Sequence, residues 1–308
     1  MPTKSEISQI VLNAKNGAQD EIRRKYLKEL SDYTRRDTIL YCSAYTIPQA
    51  SGAPSEALSL VPGDMQGFMS SLTGLSNEKL DIIIHSPGGS SEAVEQVVQY
   101  LRSKYRNIRA IVPQNAMSAA TMLACACDEI IMGKHSAIGP IDPQITFPMQ
   151  NGNLFTAPAH SILNEFNQAK TEILANPGVA PLWIPKLANW PAGILDICNN
   201  TIQLSKDKVK NWLAASMFAG QQDGTNKADS IANWLGTFSN HLTHGRPISI
   251  TEAGRRGLVV TPLESDQNLQ EKVLSVFHAS IVTFEVTSCV KIIENQNGVG
   301  SFITLNRK

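Results

Sequence analysis

Two small-residue turns, each directly behind an apolar run, constrain this chain most. The first is Ile82-Ile-Ile-His-Ser-Pro-Gly-Gly-Ser90. The second is Ile111-Val-Pro-Gln-Asn-Ala-Met-Ser-Ala-Ala-Thr-Met-Leu-Ala124. In each, the apolar run has strand character and the residues after the turn have helical character. Residues 92–104 place Val94, Val97, Val98 and Leu101 on one helical face, with Pro87-Gly88-Gly89 ahead of them. Further short apolar runs lie at 38–41, 80–84, 108–112 and 129–132, separated by helical patterns. Apolar runs alternating with helical segments predict stacked β-α units with parallel strands, an α/β fold.

Around this centre, residues 5–35 are charged and helical in period, which predicts a helical N-terminal arm over 1–36. The main α/β body is expected over 37–285 and a C-terminal hairpin or tail over 286–308, with Asn295-Gln-Asn-Gly298 as a tight-turn signal. Residues 140–158, rich in Pro, Asn and Gly, read as a loop that could flank a substrate groove. Residues 159–174 read as helix. A proline-punctuated stretch follows over 177–191, then helical patterns through Leu213, over 227–237 and over 269–282.

Lys plus Arg and Asp plus Glu stand at 27 each, so no net field draws the chain to nucleic acid or anionic lipid. The N-terminus carries too short an apolar run for a secretory signal, and nowhere do about 18 apolar residues run on without a break as a membrane span requires. The five cysteines match neither a disulfide framework nor a zinc site. Cys125 and Cys127, two apart on a helix, face different sides. A cytoplasmic protein with reduced thiols and without metal or organic cofactor is expected.

The chemistry concentrates in the two turns. Gly88 and Gly89 let a substrate backbone come close, and the turn exposes N–H groups that can hold an anionic oxygen. Ser118 lies at a helix start, where a serine is either an N-cap or a nucleophile with the Ala119 N–H as a second oxyanion donor beside that of Gly89. His85 and His135 flank the turns and are either site-lining or packed at strand ends.

Together these residues resemble the Clp-peptidase and signal-peptide-peptidase-A branch of the Clp/crotonase fold group, in which a Ser-Pro-Gly-Gly turn precedes the nucleophile by about 30 residues, as Gly88 precedes Ser118 here. The continuation Asp128-Glu-Ile-Ile-Met-Gly-Lys-His-Ser-Ala-Ile-Gly-Pro-Ile141 is similar to that group's Ser-x-Ile-Gly turn. The serine dehydrogenase proteinase family resembles the chain most, over roughly residues 20–275. The resemblance implies a superhelix of β-β-α units, self-association, and serine peptidase activity on a polypeptide substrate. Clp peptidases carry a histidine base about 25 residues after the serine, where this chain has Asp142-Pro-Gln. Signal-peptide-peptidase-A relatives carry a lysine on a later helix, and the stretch ending in Lys170 is similar to it. Lys170 is therefore the expected general base, with His244 and His160 as alternatives and Asp142 or Asp128 as an optional third member. Two rival functions keep the same fold: an acyl-thioester enzyme, for which no matching carboxylate pair is evident, and an inert scaffold or binding protein.

Overall fold

The computed structural model describes residues 3–14, 18–149 and 152–305. The four apolar runs become the centre of a seven-stranded sheet: β1 (Asp37–Ser43), β2 (Lys79–His85), β3 (Asn107–Val112) and β5 (Glu129–Met132). With β10 (Val260–Pro262) they run parallel. The hairpin β11 (Cys289–Asn295) and β12 (Gly300–Thr304) adds two antiparallel strands, giving the order β10-β5-β3-β2-β1-β11-β12. The hairpin turns at Asn295–Gly298, where Gly298 adopts φ 76°.

These strands read as continuous apolar runs because both faces of the sheet are covered. Ile39, Tyr41, Ile82 and Ile84 face one side and pack with α4 (Asp64–Ser71), α5 (Ser91–Lys104), α6 (Ala119–Cys125), α9 (Ile194–Ala215) and α10 (Gly224–Gly236). Leu40, Cys42 and Ile83 face the other, against α2 (Ala18–Thr34) and α12 (Gln267–Val286). The described N-terminal residues hold two helices. In α1 (Lys4–Asn13), Ile7 and Val11 pack on Ala279 and Val282 of α12, while in α2 the fully buried Arg23 pairs with Glu294 of β11 at 2.8 Å.

A small second sheet, β4 (Asn115–Ala116), β6 (Ala137–Ile138) and β9 (Ile248–Ser249), ties the segment before Ser118 to the segment after His244, and the short helix α11 (Ile250–Arg255) continues directly from β9. Residues 144–158 are not simply loop: β7 (Gln144–Pro148) and β8 (Leu154–Pro158) form a hairpin. Phe147 and Ala157 turn inward against α7 (Ala159–Ala175) and α9, while Thr146 and Thr156 bond to each other on the exposed side. Both prolines sit at strand ends, where a missing N–H is tolerated. The proline-punctuated stretch holds a helix of its own, α8 (Ala180–Leu187), which buries none of its residues. Among the described residues no helix is long and apolar enough to cross a membrane.

Candidate active site

Ser118 stands at the tip of α6 with φ 52° and ψ −119°, a conformation that L-residues rarely adopt and that clusters at functional turns. Its side chain makes no capping hydrogen bond, so the N-cap alternative does not describe it. The turn is fastened from several sides. The Met117 N–H donates to Ser86 O at 3.0 Å and the Ser86 N–H to Asn115 O at 3.0 Å. Thr121 Oγ1 donates to Ala116 O at 2.7 Å and accepts the Gly139 N–H at 2.9 Å. Every residue of α6 is buried, and Ser118 at its tip is half-buried.

The two glycines meet this turn edge on. A side chain on Gly88 (φ 105°) would lie 2.7 Å from Met117 O and 2.7 Å from Ser118 Cβ. Gly89 (φ 148°) bridges Leu60 in parallel: the Leu60 N–H donates to Gly88 O at 2.7 Å, and the Ser90 N–H donates to Leu60 O at 2.8 Å. In a parallel bridge of this form the N–H of the bridged residue is not used by its partner, so the Gly89 N–H is turned away from Leu60. Among the described residues neither it nor the Ala119 N–H has a hydrogen-bond acceptor. The Gly88 N–H, in contrast, is taken by Ser86 Oγ at 3.2 Å.

A cleft of about 520 Å³ opens here, lined by Gly89, Ser118, Ala119, His244 and, farther along, Gln144, Thr146, Thr201 and Ser205. His244 Nδ1 lies 2.9 Å from Oδ1 of Asp142, a carboxylate with no exposed side-chain area whose other oxygen accepts from Gln144 Nε2 at 3.0 Å. The loop carrying His244 is braced on both sides. The buried His241 bonds Trp234 O through Nε2 at 2.8 Å and accepts from Arg246, whose guanidinium forms two 3.0 Å bonds to Glu252. Burial, with Arg246 acting in the same direction, holds the His241 pKa below its ordinary value.

The other expected bases lie elsewhere. Lys170 is exposed on α7, whose buried row is Ala159, Ile162 and Ala169, and it does not line the cleft. His160, in the first turn of the same helix, also lies outside the cleft lining. Its pKa is lowered by burial and by Lys206, against the pull of Asp142. His85 is packed at the end of β2, fully buried with Nε2 3.2 Å from Thr46 Oγ1, whereas His135 is exposed in the turn after β5 with Nε2 2.9 Å from Pro113 O, and neither lines the cleft. Asp128 binds Arg102 at 2.9 Å, a helix-to-strand clamp. Cys125 and Cys127 are buried in and just after α6. Sequence reading missed that Asp142 and His244 form a pair across 102 residues, and that Gln144, Thr201 and Ser205 share the cleft. The Asp142 directly after Ser136-Ala-Ile-Gly-Pro-Ile141 was the available signal.

The fold is an α/β sheet, parallel over five of its seven strands, whose glycine turn and strained serine meet at one cleft. The chain belongs to the ClpP-like SDH-type serine proteinases, whose family model matches residues 73–280, a span that contains Gly88, Gly89, Ser118, Asp142 and His244. Two uncharacterized proteins of Methanocaldococcus jannaschii are similar. MJ0137 is 28% identical over 255 residues, 82% of this chain and 77% of the relative. MJ1495 is 32% identical over 181 residues, 59% of this chain and 51% of the relative. Among solved structures, two variants of the 1510-N membrane-bound stomatin-specific protease are similar in shape. The serine-to-alanine variant gives a TM-score of 0.41 at 18% identity, covering 70% of this chain and 79% of that one. The lysine-to-alanine variant, in complex with a substrate peptide, gives 0.41 at 17%, covering 80% and 83%.

Proposed function

We propose that the chain is a serine endopeptidase in which Ser118 is the nucleophile, His244 the general base and Asp142 the residue that orients it. The observation that carries this reading is the one cleft shared by the strained Ser118 and by His244, whose Nδ1 is held by a buried carboxylate. With Nδ1–H given to Asp142, the neutral ring has Nε2 free as the proton acceptor, the tautomer a serine base needs. His244 takes the Ser118 hydroxyl proton as Oγ attacks a peptide carbonyl. The developing oxyanion is received by the N–H groups of Gly89 and Ala119. The C–N bond breaks as His244 returns the proton to the leaving amine, and water, activated by the same ring, frees Ser118 from the acyl group. His244 takes the place of Lys170 in this reading because it lines the cleft and Lys170 does not. The mixture of polar side chains and backbone donors along the cleft suits an extended polypeptide.

The test is hydrolysis of fluorescein-labelled casein by the purified chain. Ser118→Ala and His244→Ala abolish cleavage while circular dichroism stays native. Cleavage that persists in Ser118→Ala overturns the reading.

A further inference from the structure

The backbone that abuts Gly89 is held in place by a buried ion pair reaching in from the far end of the chain. Leu60 fixes Gly89 through the two hydrogen bonds that flank it, and a side chain on Gly89 would sit 2.1 Å from Leu60 O, so the two backbones touch with no slack. The Leu60 side chain is fully buried in the core, while the short helix α3 (Ser55–Leu58) just before it buries none of its residues. The backbone of this segment is gripped in addition by Lys291, on β11. Its Nζ lies 2.6 Å from Ser59 O, 2.9 and 3.0 Å from the two oxygens of Asp64, and 3.4 Å from Glu56 O. Asp64 in turn accepts the Val61 N–H at 3.1 Å and the Tyr41 hydroxyl at 2.9 Å. One ammonium thus clamps the carbonyl immediately before Leu60 and the carboxylate four residues after it.

The Lys291 and Asp64 side chains are 1% and 2% exposed. Burial pulls the Lys291 pKa down and Asp64 opposes that pull, so the ammonium depends on this set of oxygens. A buried ion pair is weak evidence for stability, since apolar side chains of the same volume often serve a core as well. Here the ligands include backbone of the segment that hydrogen-bonds on either side of Gly89, which gives the pair a positional role that an apolar filler lacks. Both residues lie outside the family-matched span of 73–280.

We propose that Lys291 is a positioning residue for the oxyanion-binding N–H of Gly89, acting through Asp64 and the Ser59–Leu60 backbone. The inference rests on the peptidase reading above. Displacing a catalytic group by about 1 Å costs on the order of 100-fold in rate, and the oxyanion donor acts in the transition state rather than in substrate binding.

The experiment measures kcat and KM for p-nitrophenyl butyrate hydrolysis by the full chain carrying Lys291→Met, with Glu294→Gln as a control. The control breaks a different buried pair on the same strand, one that reaches α2 instead of Leu60. At a temperature where both variants are folded by circular dichroism, Lys291→Met lowers kcat about 100-fold with KM within about twofold, and Glu294→Gln keeps the wild-type kcat. Should Lys291→Met not fold, Asp64→Asn is read in the same way. An unchanged kcat in the folded variant overturns the proposal, and so does an equal loss in Glu294→Gln, which would signal general loosening of the hairpin. Hydrolysis that survives in Ser118→Ala would instead overturn the peptidase reading itself, so the two failures are told apart.

Discussion

His85 makes the fold acid-sensitive in a way that can be worked through. It ends β2, is fully buried, and packs its ring 4.9 Å from Tyr45 and 5.0 Å from Phe277. Burial, partly offset by the Asn115 backbone, lowers its pKa from 6.5 to about 3. The unfolded chain therefore takes up this proton below pH 6.5 while the folded chain does not until about pH 3. The stabilisation is full above pH 6.5 and is lost as pH falls through that window, at about 1.4 kcal/mol per pH unit. Between pH 6.5 and pH 5 the loss attributable to His85 is about 2 kcal/mol. Urea unfolding of wild type and His85→Leu at both pH values isolates it, because contributions from His160, His241 and the carboxylates are common to both proteins. The variant is less stable at pH 7 but loses about 2 kcal/mol less on acidification. Equal acid losses in the two proteins would refute a buried, neutral His85.

Other outcomes are expected from the same geometry. Asp142→Asn cannot hold the His244 tautomer and lowers kcat for p-nitrophenyl butyrate by about 10⁴-fold while leaving KM near wild type; a loss below about tenfold would remove Asp142 from the machinery. Gly89→Ala must push against Leu60 O at 2.1 Å from a φ of 148°, so it loses about 10²–10³-fold in kcat and melts lower, and wild-type turnover would show that the Gly89 N–H is not a donor. All five cysteines are buried, and burial raises the thiol pKa of Cys289 to about 11 and of Cys127 to about 12. Ellman's reagent at pH 8 accordingly stays silent on the native chain and titrates five thiols in urea; rapid native reaction would place a cysteine at the surface.

The sheet was legible in the sequence because strands covered on both faces are spelled as uninterrupted apolar runs, and the four runs became β1, β2, β3 and β5. The glycine turn was legible for a related reason: positive φ angles, and side-chain positions that would lie 2.7 Å from Met117 O at Gly88 and 2.1 Å from Leu60 O at Gly89, leave few residue types that fit. The β7–β8 hairpin was not, because its strands carry prolines at their ends, lack a continuous apolar run, and pack on α7 and α9 rather than following a local pattern. The proposed base, His244, was hidden for a deeper reason. A helix pattern says that residues 159–174 are helical but not which neighbour the helix meets, and that neighbour puts Ala169 inside and Lys170 outside. The Asp142–His244 pair depends on tertiary packing that joins loops 102 residues apart, and no local period encodes it. The Lys291–Asp64 clamp is farther still, spanning 227 residues.

Whether His244 activates Ser118 is decided by labelling the native protein with a fluorophosphonate and locating the adduct by peptide mass spectrometry. A single adduct is expected on Ser118, absent in Ser118→Ala, with the labelling rate down at least about 100-fold in His244→Ala and within about twofold of wild type in Lys170→Ala. An unlabelled Ser118 in the native protein, or a rate that collapses in Lys170→Ala while His244→Ala reacts normally, would mean that His244 is not the base.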